Sequence, residues 1–141
     1  MKAVWAALVI IAMAAPVQAA TLTVTIATVR NASGLVEICL FSSPSGFPDC
    51  SADPAVQRRR LPATPGTVQA RFDIPPGVYA VTVFHDEKRL GKVETNLLGI
   101  PRNGVGASNN PVARFGPPGF RDAAFTMPAA PASISIMLRY P

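Results

Sequence analysis

Charge and chemistry are scarce in this chain. Only 15% of its 141 residues are charged, it holds one histidine and two cysteines, and no stretch repeats its apolar residues with the 3.6-residue period of a long helix. One histidine and two cysteines leave too few ligands for a zinc site. The cysteines, Cys39 and Cys50, are also too far apart for a CxxC metal or redox motif. Nucleic-acid binding would need a basic face with interleaved aromatics, and neither is present. Arginine outnumbers lysine ten to three, yet only Arg58-Arg59-Arg60 clusters, between prolines, which reads as a solvated loop with at most weak attraction to anionic envelope polymers. Gly99, Gly104 and Gly106 lie among prolines and asparagines, not between a strand and a helix, so no phosphate loop or cofactor motif is indicated. No helix of ten or more residues is expected anywhere.

The longest apolar run, Ala3 to Ala15, follows Lys2 and ends at Pro16-Val17-Gln18-Ala19. It is short for a bilayer span and closes on small residues, so residues 1–19 read as a signal peptide cleaved between Ala19 and Ala20, not a retained anchor. Its removal takes Lys2 away and lowers the formal charge from +5 to +4. Residues 20–141, about 120 in all, suffice for a single domain with one modest core. The mature chain would then hold no transmembrane segment and reside in the periplasm or outside the cell. In that compartment two cysteines imply one disulfide, Cys39 to Cys50. Val36, Ile38 and Leu40 alternate toward one face of a strand, which puts Cys39 on the other face with Glu37 and Phe41, where the bond would pin the following loop.

Strand signals fill most of what remains. Thr21 to Ile26 alternates with period two, and Asn31-Ala32-Ser33-Gly34 has the residue types of a hairpin turn into Leu35 to Phe41. From Ser42 to Gly66, with five prolines, no regular structure is expected beyond a short helical turn at Asp53 to Arg59. Thr67 to Asp73 alternates again. Pro75-Pro76-Gly77 should reverse the chain, the glycine taking a positive φ, into Val78 to Phe84, uncharged and β-branched as a strand buried on both faces would be. Glu87 to Gly119 is irregular, Ala123 to Met127 is a short strand candidate, Pro128 to Pro131 a turn, and Ser133 to Tyr140 the last strand, with Ile134, Ile136, Leu138 and Tyr140 inward. Six to seven short strands without helices predict an antiparallel β-sandwich of immunoglobulin-like or transthyretin-like form, with one long irregular loop.

Pro76-Gly77-Val78-Tyr79-Ala80-Val81, His85-Asp86-Glu87, Leu98-Gly99-Ile100-Pro101, Ser108-Asn109-Asn110 and Gly116-Pro117-Pro118 together resemble DUF2141, a family of small exported bacterial proteins known only as a domain of unknown function. The Pro-Gly-x-Tyr turn is also similar to that of carboxypeptidase-regulatory and transthyretin-like sandwiches, which speaks for fold and assigns no activity. Family members commonly follow His-Asp with a run of alternating acid and amide residues that looks like a calcium loop. Here Asp86, Glu87, Glu94 and Asn96 keep parts of it, but Lys88, Arg89 and Leu90 occupy its middle, so no metal is expected. A salt bridge of Asp86 or Glu87 with Lys88 or Arg89 would replace the ion.

His85 shares a strand face with Tyr79, Val81 and Val83, while Asp86 points the opposite way, so the neighbours cannot act as a dyad. A serine hydrolase would need Ser108 as nucleophile and Asp122 or Glu94 as acid, with no nucleophile-elbow motif to support it. A histidine ending a buried strand more often donates to a loop carbonyl. Ser108, Asn109 and Asn110 have the residue types that bond loop backbone. The function expected is a non-catalytic binding or structural module, its partner an envelope protein or polymer, with His85, Asn103, Ser108, Asn109 and Asn110 marking the candidate functional loop. The alternatives are a small envelope hydrolase using His85 and a calcium-dependent adhesion-like module.

Overall fold

The computed structural model describes residues 2–16, 18–112 and 116–141. Residues 2–16 form no helix or strand and lie exposed, and among the described residues no helix is long and apolar enough to cross a membrane. Val17, part of the expected cleavage signal, lies outside the described residues. Among the described residues eight strands and one short helix follow: β1 (Ala20–Val29), β2 (Leu35–Phe41), β3 (Gln57–Pro62), β4 (Gly66–Ile74), β5 (Gly77–Asp86), β6 (Val105–Ala107), α1 (Phe120–Ala123), β7 (Phe125–Met127) and β8 (Ala132–Met137). They make a β-sandwich. One sheet has the order β4-β1-β8, the other β3-β2-β5-β6, with β7 also paired to β5. Every ladder is antiparallel except β1 with β8, which run parallel from Leu22 opposite Ala132 to Ala27 opposite Met137.

Period-two alternation builds the core directly. Leu22, Val24 and Ile26 of β1, with Phe72 and Ile74 of β4, face Val36, Ile38 and Leu40 of β2 and Val81 and Val83 of β5, all fully or nearly fully buried. The other side of β1 and β4 carries Thr21, Thr25, Gln69 and Asp73, whose side chains bond one another across the ladder in solvent. The second sheet is covered on both faces, as expected for β5. The Cys39–Cys50 disulfide and Phe47, packed edge-on between Phe41 and Phe120, hold the 42–56 connection and α1 over its outer surface.

Two turns behave differently from expectation. Asn31 to Gly34 is no hairpin turn, because β1 and β2 belong to opposite sheets, and Pro75-Pro76-Gly77 likewise carries the chain from one sheet to the other. Turn chemistry specifies that the chain reverses, but not how far the second strand rotates about its axis. Here it rotates enough to stack face to face instead of pairing edge to edge. Gly77 has no positive φ, and the turn is fixed by the Tyr79 hydroxyl, which donates to the Pro75 carbonyl at 2.8 Å. Gly34 does take φ 68°, and its backbone rests against the Asp86 and Glu87 carbonyls with no room for a side chain.

The Arg58-Arg59-Arg60 segment is strand β3, not a solvated loop, and no helical turn spans Asp53 to Arg59. Its register with β2 explains why: Arg58 and Arg60 lie on the face that carries Glu37, which is 1% exposed and takes ion pairs from both. Arg59, facing the sandwich interior, lays its guanidinium 4.6 Å above the Phe72 ring.

Candidate functional site

Alternation along β5 turns Tyr79, Val81, Val83 and His85 inward together, and His85 ends the series with no exposed surface. Its Nε2 is 2.7 Å from the Ser33 carbonyl, an obligate acceptor, so Nε2 carries the proton. With the ring neutral, Nδ1 accepts from the Tyr140 hydroxyl at 2.8 Å, and that hydroxyl in turn accepts the Arg30 amide at 3.1 Å; the Glu87 carboxylate lies 3.9 Å from the same nitrogen. The expected loop carbonyl is therefore in the β1–β2 turn, not in the long loop. Arg30 stacks 4.5 Å above the Tyr140 ring and donates to Glu87 at 2.8 Å, where Asn31 also donates. Burial works against the Glu87 carboxylate, but the Asn31 and Arg30 hydrogen bonds and the Arg30 charge outweigh it and hold its pKa below the ordinary value of 4.5. Burial pushes the Tyr140 phenol up, which keeps it protonated as a donor. Tyr140 was expected to face inward, but neither it nor Arg30 was among the expected site residues, since nothing local ties them to His85 across the fold.

The loop after β5 is held from beneath by buried polar groups. Asp86, 1% exposed, accepts the amides of Leu90 at 2.8 Å and Gly91 at 2.7 Å. Arg58 reaches from Glu37 to the Gly91 carbonyl at 2.9 Å. Asn103 accepts the Glu94 amide at 2.7 Å and donates to the His85 carbonyl at 3.0 Å. The oxygens of the expected degraded metal loop thus diverge: Asp86 to backbone amides, Glu87 to Arg30, Glu94 to Lys88 at 3.1 Å, and Asn96 to the amides of Leu98 and Ile100. The pairing of Asp86 or Glu87 with Lys88 or Arg89 does not form. Arg30, Glu87, Lys88, Glu94, Arg102 and Asn103 line a shallow cleft of about 210 Å³.

Ser108, Asn109 and Asn110 act as backbone stitching. The Ser108 hydroxyl accepts the Val81 amide at 2.9 Å and donates to the Ala123 carbonyl, Asn109 donates to Asp122 and Ala124 carbonyls, and Asn110 bonds Ser135 and Met137 of β8. Both asparagines take positive φ, 66° and 47°, which their type tolerates. Ser108 is opposite Val81, four residues up β5 from His85, and Asp122 caps α1, so the residues considered for a hydrolase triad are held apart.

Part of the expected long loop is regular. It contains β6, and Glu94 to Arg102 forms a small hairpin with an Arg102 amide to Glu94 carbonyl bond of 2.8 Å. The hairpin tip was the feature missed in the sequence. Leu97 is wholly exposed, Leu98 83% and Ile100 51%, with Leu90 and Val93 exposed beside them.

Comparison with curated proteins and with solved structures returned no match. A family model, by contrast, matches residues 24–135, from the first core strand to the last. The chain therefore belongs to the family described as an uncharacterised protein conserved in bacteria, DUF2141.

Proposed function

We propose that this protein is an exported, non-catalytic binding module of the bacterial cell envelope, and that it engages its partner through the loop of residues 87–103. One observation carries the reading. The buried polar residues nearest the loop, His85, Asp86 and Asn103, commit their side chains to internal hydrogen bonds, and what they hold up is a hairpin with leucines in solvent. A structure that uses its only histidine as a strut and displays apolar side chains at a loop tip is suited to contact, not turnover. Export is supported by the apolar run of residues 3–15 with its small-residue end and by the disulfide, which persists in oxidising compartments.

The test is retention of the full chain by washed envelope fractions, compared with Leu97→Ser/Leu98→Ser. Loss of retention with an unchanged melting temperature is the expected result. Equal retention of both chains, or recovery of the protein from the cytoplasm with free thiols, refutes the reading.

A further inference from the structure

We infer that the occupant of the hairpin tip is the surface of an anionic lipid bilayer, an inference that rests on the binding role assigned to the same loop. Three observations converge. Leu97 and Leu98 stand at turn positions, where short polar residues are the usual occupants, and both point into solvent with Ile100 beside them. Secondly, the tip pairs most of its backbone amides internally. Asn96 donates to the Ile100 carbonyl at 2.9 Å, Gly99 to the Asn96 carbonyl at 3.0 Å, Leu98 and Ile100 donate to the Asn96 side chain, and Pro101 has no amide proton. Five of the six residues from Asn96 to Pro101 thus bring no unpaired N–H into an apolar phase, which lowers the cost of seating the tip at the headgroup boundary, where its carbonyls still meet water.

The third observation is the charge around the tip. Residues 88–102 contain Lys88, Arg89, Lys92 and Arg102 against a single acid, Glu94. Glu94 is taken by Lys88, and Arg89, Lys92 and Arg102 have no acidic partner among the described residues. An apolar tip carried on a loop with three unpaired cations matches a bilayer with anionic headgroups, where leucines enter the acyl boundary and cations stay at the phosphates.

The experiment measures partition of the chain recovered after export, without the cleaved segment, onto vesicles of phosphatidylcholine alone and of phosphatidylcholine with phosphatidylglycerol. Three chains are compared: unaltered, Leu97→Ser/Leu98→Ser, and Arg89→Gln/Lys92→Gln. None then carries the apolar run of residues 3–15, so differences among them report the loop. The leucine variant is expected to lose at least about tenfold on anionic vesicles. The charge variant is expected to lose about fivefold per cation there, with little change on neutral vesicles, and the difference should shrink at high salt. Equal partition of all three chains overturns the inference. A diazirine-bearing leucine analogue at position 98 separates the remaining outcomes in envelope preparations. Labelling of lipid supports the inference. Labelling of protein alone overturns it and leaves the binding role standing, and labelling of neither, with retention unaffected by the leucine variant, ends both.

Discussion

Removing one hydroxyl tests whether His85 is a strut. Tyr140→Phe keeps the ring, and with it the Arg30 stacking and the packing against Gly104, but takes away the donor to His85 Nδ1. His85 has no exposed surface, and a buried acceptor left unpaired costs about 1–3 kcal/mol. With a loss of ~2 kcal/mol and about 4 °C per kcal/mol for a domain of this size, the melting temperature should fall by about 8 °C. Tyr79→Phe is the internal control. It deletes the same group, but its acceptor is the carbonyl of exposed Pro75, where water can substitute, so its cost should stay below about 1 kcal/mol. A double-mutant cycle then isolates the pair: with His85→Leu in place, Tyr140→Phe should cost about 1–2 kcal/mol less than it does alone. Both are read by thermal and urea unfolding. A Tyr140→Phe protein that melts within about 2 °C of the parent, or a strictly additive cycle, refutes the assignment.

Three further outcomes follow from the same contacts. Gly34→Ala forces a positive φ on alanine and drives its methyl group into the Asp86 carbonyl, with the Glu87 carbonyl 2.7 Å away, so unfolding free energy should drop by more than about 3 kcal/mol; a stable variant would show that the β1–β2 turn can move. Cys39→Ser/Cys50→Ser opens a loop closed across a separation of 11 residues and should cost about 3 kcal/mol in denaturant unfolding, with the remaining sheets still formed by circular dichroism. Because the folded-state pKa of Glu87 is depressed, its contribution to stability is present above the unfolded value of about 4.5 and is lost as pH falls through the lower folded value. Glu87→Gln should therefore be less stable than the parent at neutral pH and converge with it in acid; parallel stability curves across that range would contradict the Arg30–Glu87 pairing.

By itself the sequence determined the class of fold, the inward faces and the disulfide, because these follow from period-two alternation and compartment chemistry that neighbouring residues carry. Leu22, Val24 and Ile26, or Val36, Ile38 and Leu40, must share a face whatever they pack against. It also placed His85 on the inner face and gave Ser108, Asn109 and Asn110 the role of bonding loop backbone. Tertiary structure decided which strands pair. Asn31 to Gly34 has the residue types of a hairpin turn and Pro75 to Gly77 those of a chain reversal, yet each moves the chain between sheets, since strand rotation is settled by long-range packing. The arginines of β3 became a strand only because Glu37 waits on the adjacent one, 21 positions away from Arg58. Arg30 and Tyr140 join His85 and its neighbour Glu87 from two distant segments, a grouping no local pattern encodes. The exposure of Leu97 and Leu98 is of the same kind: two leucines read as core in any one-dimensional pattern, and only the hairpin that Asn96 ties shows them turned outward.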